Sequence, residues 1–378
     1  MEWVDVVRSG EPSPGSPYEA PCFRIPALAV SGSRLVLAYD VREDWRDLPG
    51  PFDVMVRTSD DLGRTWTAPV PLRSHEGGTG FGDASLIADG DDVWCWYVSS
   101  DGPGFFTATT EHGLGLWLAH SADGGRSWTH RDLSALRPGG VAGMFATSGN
   151  GIVLSTGPAA GRLLQPFVVR TGDRRSAVVA ASDDRGVTWR LGEPVGPDCD
   201  ETKVVETPTG VLLLARDRPR RRTAISADGL TYRTAVPHPD LVDPGCNGGA
   251  VRLADGRLVA SLLDDESDRR RLVLRLSHDD GLTWPGVLVV DPGAAAYSVL
   301  AVLPDGSLGL AYEVGDYAAI RFCRVPLAEL AVDAAGRPLL APLPATPGTA
   351  KPPVAGAAPS ADPTGPVRQD LSGAPLQS

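Results

Sequence analysis

The sequence predicts an all-β fold, a six-bladed β-propeller, from three observations. The first is an internal repeat, Ser-x-Asp-x-Gly-x-Thr/Ser-Trp, at Ser59–Trp66, Ser121–Trp128, Ser182–Trp189 and Ser277–Trp284. A fifth copy, Ser226–Tyr232, is one residue short. The second is the short β-rich run before each full copy, at 53–57, 116–119, 177–180 and 272–275; alternation at period two is a strand signal. The third is spacing. The copies start at residues 59, 121, 182, 226 and 277, intervals that hold four strands of about five or six residues plus loops. A four-stranded unit repeated radially is a propeller blade. Five copies imply at least five blades. The sequence before Ser59 and after Trp284 supplies a sixth, closed by pairing the two chain ends, with five or seven as the alternatives.

Within each copy the residue types suit a hairpin staple. The Asp can accept backbone N–H groups of the turn that follows it. The Gly can take the positive φ of a tight turn. The Trp folds back as a large apolar plug. Turn-building explains these Asp residues better than catalysis does.

Composition bounds the rest. The chain has 378 residues, of which 42% are hydrophobic and 22% charged, enough for a sizeable core. The repeat overrides the two or three domains that length alone suggests. The 44 Gly and 34 Pro fit many hairpins. A net charge of −12 argues against a nucleic-acid partner; the basic run 218–222 reads as a solvated loop. The five cysteines are widely spaced and the six His scattered, so no metal, disulfide scaffold or cofactor is indicated. No apolar run reaches the roughly 18 residues of a membrane span. The N-terminus lacks a signal-peptide pattern, which points to a cytoplasmic location, with a secreted or trimmed form as the alternative. Residues 1–340 are expected to form the propeller. Residues 341–378, rich in Pro, Ala and Gly, are expected to be a disordered tail.

The residues that can carry chemistry follow in chain order. Arg24 lies in the apolar run Cys22–Leu28, where an Arg is costly unless paired. The loop 39–51 holds Arg42, Arg46 and the acids Asp44 and Asp47. Asp83 occupies the matching point of the second blade, where it could equally form a turn. Glu201 introduces the fourth unit, and Arg216 closes the apolar strand that follows it. Arg275, inside Leu272–Leu276, is a third arginine in an apolar strand. Three such arginines from different blades would converge on the channel and grip one carboxylate bidentately. Tyr297 alone reads as a core aromatic, and Glu313 as a counter-charge for one Arg.

Together, Phe23-Arg24-Ile25-Pro26 and the repeated staple resemble the bacterial exo-α-sialidases (neuraminidases), in which the staple is termed the Asp box. The similarity runs from about Phe23 to Tyr312. It implies a six-bladed propeller in which Arg24, Arg216 and Arg275 hold the sialic acid carboxylate. It further implies Asp47 as general acid/base, Tyr297 as nucleophile, Glu201 as the carboxylate paired with Tyr297, and Glu313 as the acid orienting Arg24. Arg42 and Asp83 are implied to line the pocket near the C4 and C5 substituents of the sugar. The implied partners are sialylated glycans or glycolipids, and a monomer is expected.

The chemistry fits these types. The anomeric carbon of sialic acid bears a carboxylate, which a carboxylate nucleophile would approach against like charge. A phenol is neutral until it attacks, and sialidases are the known Tyr exception to the two-carboxylate rule. With an ordinary pKa of about 10, Tyr297 needs a base, which Glu201 would supply at hydrogen-bond reach. Asp47 must be protonated when it meets the leaving oxygen, so its pKa should rise on substrate binding. The alternatives are a non-catalytic, lectin-like propeller, and a trans-sialidase or a hydrolase of a related nonulosonic acid. A binder needs the arginines but not the acid, base and nucleophile.

Overall fold

The computed structural model describes residues 1–330. Within them the fold is all-β and propeller-like, and the only helices are two short 3-10 turns, Ser134–Leu136 and Leu327–Leu330. The expected tail at 341–378 lies outside the described residues.

Four sheets each start from their own strand set. The first runs Cys22–Ser31, Arg34–Arg42, Asp53–Ser59 and Val70–Arg73. The second runs Gly80–Asp89, Asp92–Ser100, Gly115–Ser121 and Thr129–Asp132, with Gly149–Asn150 added in parallel to Gly80–Asp89. The third is built on Gly143–Ala146, Leu163–Thr171, Arg174–Ser182 and Arg190–Leu191. The fourth comprises Thr202–Thr207, Gly210–Ala215, Arg220–Ser226 and Val236–Val242. The remainder is one seven-stranded sheet. Its 17-residue strand Gly286–Val302 pairs by its first half with Arg270–Ser277 and by its second with Leu308–Val314. The N-terminal strand Glu2–Arg8 completes this sheet, antiparallel to Ala319–Val325. The two ends of the described chain therefore pair.

The core lies between neighbouring sheets. Ala27, Val36 and Val54 of the first sheet pack with Leu86, Cys95 and Tyr97 of the second. Leu37 and Phe23 pack with Val299 and Phe322, which joins the last strands to the first. Each fully buried Leu, Val or Phe there contributes about 1.5–3 kcal/mol, so the ring is held by contacts of long sequence separation.

The repeats form the staples the sequence implies. In the first, Asp61 Oδ1 accepts from Thr65 N at 2.9 Å and from Ser59 Oγ at 2.8 Å, and Oδ2 accepts from Thr65 Oγ1 at 2.6 Å. The same pattern returns at Asp123, Asp184 and Asp279. Even the shortened copy keeps Asp228 on Thr231 N at 2.9 Å. Gly63 sits at φ +84° and a Cβ there would lie 2.1 Å from Phe322 of the neighbouring unit. Gly281, at φ +87°, would strike Leu212 of the preceding unit at 2.4 Å. The glycine thus makes the turn and lets one unit abut the next. Trp284 is fully buried, while Trp66, Trp128 and Trp189 are half-buried.

These staples fix the polarity of the five units that carry one, and antiparallel pairing across Gly286–Val302 carries it to the last strands. The staple follows the third strand, so it lies at the end where the first strand finishes. The opposite end holds the start of each first strand, the end of each second strand and the loop to the third.

Candidate active site

The end opposite the staples gathers the charged residues singled out in the sequence. Arg24, at the start of the first strand, is 4% exposed. Its Nε donates to Glu313 Oε1 at 3.1 Å, and its Nη1 to the Trp45 carbonyl at 2.7 Å and to Asp47 Oδ1 at 3.4 Å. Glu313, at the end of a second strand, is fully buried. Its Oε1 also accepts from Ile25 N at 2.8 Å, and Oε2 from Tyr297 N at 3.1 Å. One carboxylate therefore orients the Arg24 guanidinium and fixes the backbone that carries Tyr297. Ile25 itself has φ 60°, the left-handed region that a β-branched residue rarely adopts.

Tyr297, Glu201 and Arg216 form the second group. Arg216 Nη1 donates to Glu201 Oε2 at 2.7 Å and to the Tyr297 hydroxyl oxygen at 3.1 Å. The sequence places Glu201 in direct hydrogen-bond reach of Tyr297. Instead the two share one Arg216 nitrogen, and Glu201 Oε1 is buried with no partner. Burial, then the Glu201 charge, pushes the Tyr297 phenol well above its ordinary value, against Arg216 and Arg269.

Asp47 projects from the loop after Arg34–Arg42 with a side chain 73% exposed, and Arg42 Nη1 donates to it at 2.7 Å. Loss of water around Asp47 pushes its carboxyl up, but Arg42, then Arg24, outweigh this and hold it below the ordinary range. Arg42 is fully buried. Its donors go to Asp40 at 2.6 Å, Asp47, Asp83 at 3.2 Å and the Arg46 carbonyl. Rather than lining the pocket, as the sequence suggests, Arg42 positions Asp47 and Asp83 from beneath. Asp83 stays at the surface of the site; burial, with Asp40, Asp47 and Glu201 near it, lifts its carboxyl to about 8 despite Arg42.

Arg275 does not join this group. It lies two residues before the staple serine Ser277, towards the far end of its strand, and its Nη2 reaches back to Asp264 Oδ1 at 2.8 Å, just after the second strand. The third arginine is Arg269, in the loop that enters the same strand from the site end. Its guanidinium lies 5.7 Å from the Tyr297 ring centre, and its Nη1 donates to the Tyr317 hydroxyl at 3.0 Å. Tyr317, also missed in the sequence, has the Arg24 guanidinium 4.3 Å from its ring centre. Asp40 was missed as well; it accepts both Arg42 and the Asp83 N–H, at 3.1 Å. The available signal for Arg269 was position: it precedes the apolar run, whereas Arg275 is inside it.

The pocket therefore offers three guanidinium groups around a phenol, with one carboxylate at its mouth and another behind it. Among the described residues no cluster of three or more His, Cys, Asp or Glu is placed to hold a metal.

The BNR repeat-like domain model matches residues 50–310. The sialidase of Micromonospora viridifaciens is 37% identical over 347 residues, covering 82% of this chain and 52% of that protein. The exo-alpha-sialidase of Aspergillus fumigatus is 26% identical over 288 residues, covering 68% of each chain. Among solved structures, a Hadza microbial sialidase superimposes with a TM-score of 0.74 at 26% identity, over 81% of this chain and 66% of that one. The chain thus spans about half the length of the Micromonospora relative. The match over most of the ring of sheets places the chain in the BNR repeat-like domain family, and the relatives named above are sialidases.

Proposed function

We propose that this protein is an exo-α-sialidase, a retaining glycoside hydrolase that removes terminal α-linked sialic acid through a covalent tyrosyl intermediate. The observation that carries the reading is Arg216 Nη1 joined to both Glu201 and Tyr297, beside Arg24, Arg269 and Asp47. The relatives' names support it. Sialylated glycans or glycolipids are the substrate class. Residues 1–340 form the catalytic unit in this reading. Its long sheet counts as two four-stranded blades sharing Gly286–Val302, which with the other four makes six blades.

Each residue has a task. Arg24, Arg216 and Arg269 bind the substrate carboxylate. That added negative charge offsets the guanidinium groups that hold Asp47 low, so Asp47 gains proton affinity as substrate binds. The Tyr297 oxygen then bonds to the anomeric carbon. Its proton passes to Glu201, and the departing glycan oxygen takes the Asp47 proton. In the second half, water adds to the same carbon and gives a proton to Asp47. The bond to Tyr297 breaks, and Glu201 returns the phenol proton. Asp83, lifted to about 8, is protonated at acidic pH and can donate to a sugar oxygen.

The test is turnover of a fluorogenic α-sialoside by the wild type and Tyr297→Phe. The expected result is cleavage with an acidic optimum, and a loss of several powers of ten in the variant with sialic acid binding kept. A folded wild type that binds sialic acid without turnover would establish the lectin-like alternative.

A further inference from the structure

Below Glu201 lies a polar group that the mechanism does not use. The chain contains two lysines, Lys203 and Lys351. One of them, Lys203, is 1% exposed at the centre of the ring. Glu201 immediately precedes the strand Thr202–Thr207 that carries Lys203, and its carbonyl accepts Arg216 N at 2.8 Å, so the extended chain directs both side chains to the same face. Its Nζ donates to the Ser148 carbonyl, which also accepts Asn247 Nδ2 at 2.8 Å. Gly149, the next residue, has φ 110°, and a Cβ there would lie 2.9 Å from Nζ. The backbone is therefore shaped around this ammonium.

Three buried side-chain atoms nearby have no hydrogen-bond partner among the described residues: Glu201 Oε1, Ser148 Oγ and Asn247 Oδ1. Unmet groups of this kind are costly. They are the complement of donors and acceptors that an internal water bridges.

We propose that Lys203 is a positioning residue for the proton step, its buried ammonium favouring, directly or through such a water, the ionised Glu201 that a base for Tyr297 requires. This rests on the sialidase reading for what the base does, but not for the coupling of the two groups. The groups facing Lys203 are few. Glu201 stands just before its own strand. Arg221, from the third strand of the same sheet, is the other charge felt there, and Asp243 accepts it at 2.9 Å. Ser148 and Asn247 contribute neutral atoms. Burial pulls the amine down to about 7, Glu201 holds it up and Arg221 opposes that. Lys203 thus carries its charge across the acidic range in which the enzyme is expected to work.

The sign is definite. A positive charge favours a negative neighbour, so its removal acts in one direction only. In Lys203→Met the acid limb of the kcat/KM profile on a fluorogenic α-sialoside should move up by about one pH unit. A limb that stays in place while rates fall uniformly would show Lys203 to be merely structural and would overturn the proposal. A second measurement works on folded protein whatever becomes of that variant. With two lysines, labelled side-chain signals are assigned by Lys351→Arg alone. The Lys203 signal should titrate near neutrality, and in Glu201→Gln its titration should move to lower pH. An unmoved titration would refute the coupling. A wild type that shows the coupled titration but cleaves no sialoside would instead refute the sialidase reading.

Discussion

The exchange of Arg275 for Arg269 makes a sharp prediction, since both come from one stretch of chain and differ in which end of the strand they serve. Arg269→Met removes a guanidinium that lies 5.7 Å from the Tyr297 ring. A hydrogen bond between charged partners contributes about 1.5–3 kcal/mol, equivalent to roughly 10- to 150-fold in kcat/KM. The loss should appear first in KM, because a carboxylate grip acts on bound substrate and transition state alike. Arg275→Met should leave kcat/KM within about threefold, because its partner Asp264 also accepts Arg271 Nε at 3.2 Å and Arg275 itself stands two residues from the staple serine. The assay is steady-state cleavage of a fluorogenic sialoside by both variants, with thermal unfolding to show that each is folded. If Arg275→Met lost the hundredfold and Arg269→Met did not, the assignment of ends to each strand would be wrong.

Two further perturbations test the framework around the site. Glu313→Gln replaces one acceptor with an N–H₂ that must face an N–H of Ile25 or Tyr297, and it leaves buried Arg24 only the exposed Asp47, at 3.4 Å, as counter-charge. The expected cost is about 3–5 kcal/mol, read as a lower midpoint in thermal unfolding together with a fall in turnover; a wild-type midpoint would contradict the network. Asp279→Ala removes the acceptor of Thr283 N at 2.9 Å and Thr283 Oγ1 at 2.6 Å. About 1–3 kcal/mol of stability should go, with turnover per folded molecule unchanged because this staple is at the far end. The staples also set an acid limit. At Asp61 burial is outweighed by the hydrogen bonds from Thr65 and Ser59, and at Asp184 the Thr188 side-chain hydrogen bond leads; both carboxyls are held down to about 2. A depressed carboxyl contributes stability above its unfolded value and loses it as pH falls through the folded one. Acid unfolding of the wild type should therefore begin in the ordinary carboxylate range, and Asp279→Ala should be less acid-sensitive than the wild type. Equal sensitivity would remove the staples from the acid response.

What could be read from the sequence divides by distance along the chain. The staple was legible because its hydrogen bonds join residues two to four apart, and local chemistry suffices. Arg24, Asp47, Glu201, Arg216, Tyr297 and Glu313 were legible through their motifs, and they meet at one mouth. Arg275 misled because an arginine within apolar residues marks a paired guanidinium without saying which end of the strand it occupies. Counting back from Ser277 resolves this, since Arg275 is two residues from the staple and Arg269 eight. Arg42 lies in the expected region, but its full burial carried no signal in the sequence. Its Asp40 partner lies two residues away on the same strand face, but their burial depends on Gly82, where a Cβ would sit 2.8 Å from Asp40 Oδ2. Lys203 carried no motif at all; its meaning depends on Ser148 and Asn247, which come from other units.

Both ends of the ring carry left-handed backbone outside glycine. At the staple end, Leu62, Arg185 and Asp280 stand at φ 62°, 56° and 57°, each just before its staple glycine. At the site end, strand pairing is irregular between Arg24 and Ala27, between Gly82 and Ser85, and between Ala295 and Ser298. Ile25 and Asp83 stand there at φ 60° without being glycine. Such conformations cost on the order of 1–3 kcal/mol each, and bulges of this kind re-aim a side chain. The compensation is visible at each: Glu313 accepts Ile25 N at 2.8 Å, and Asp40 accepts Asp83 N at 3.1 Å. Two buried carboxylates thus hold two strained turns, and each also holds a site arginine, Arg24 or Arg42. The strain and the aim of the guanidinium groups are one arrangement, so a substitution that relaxes either turn should also misdirect its arginine.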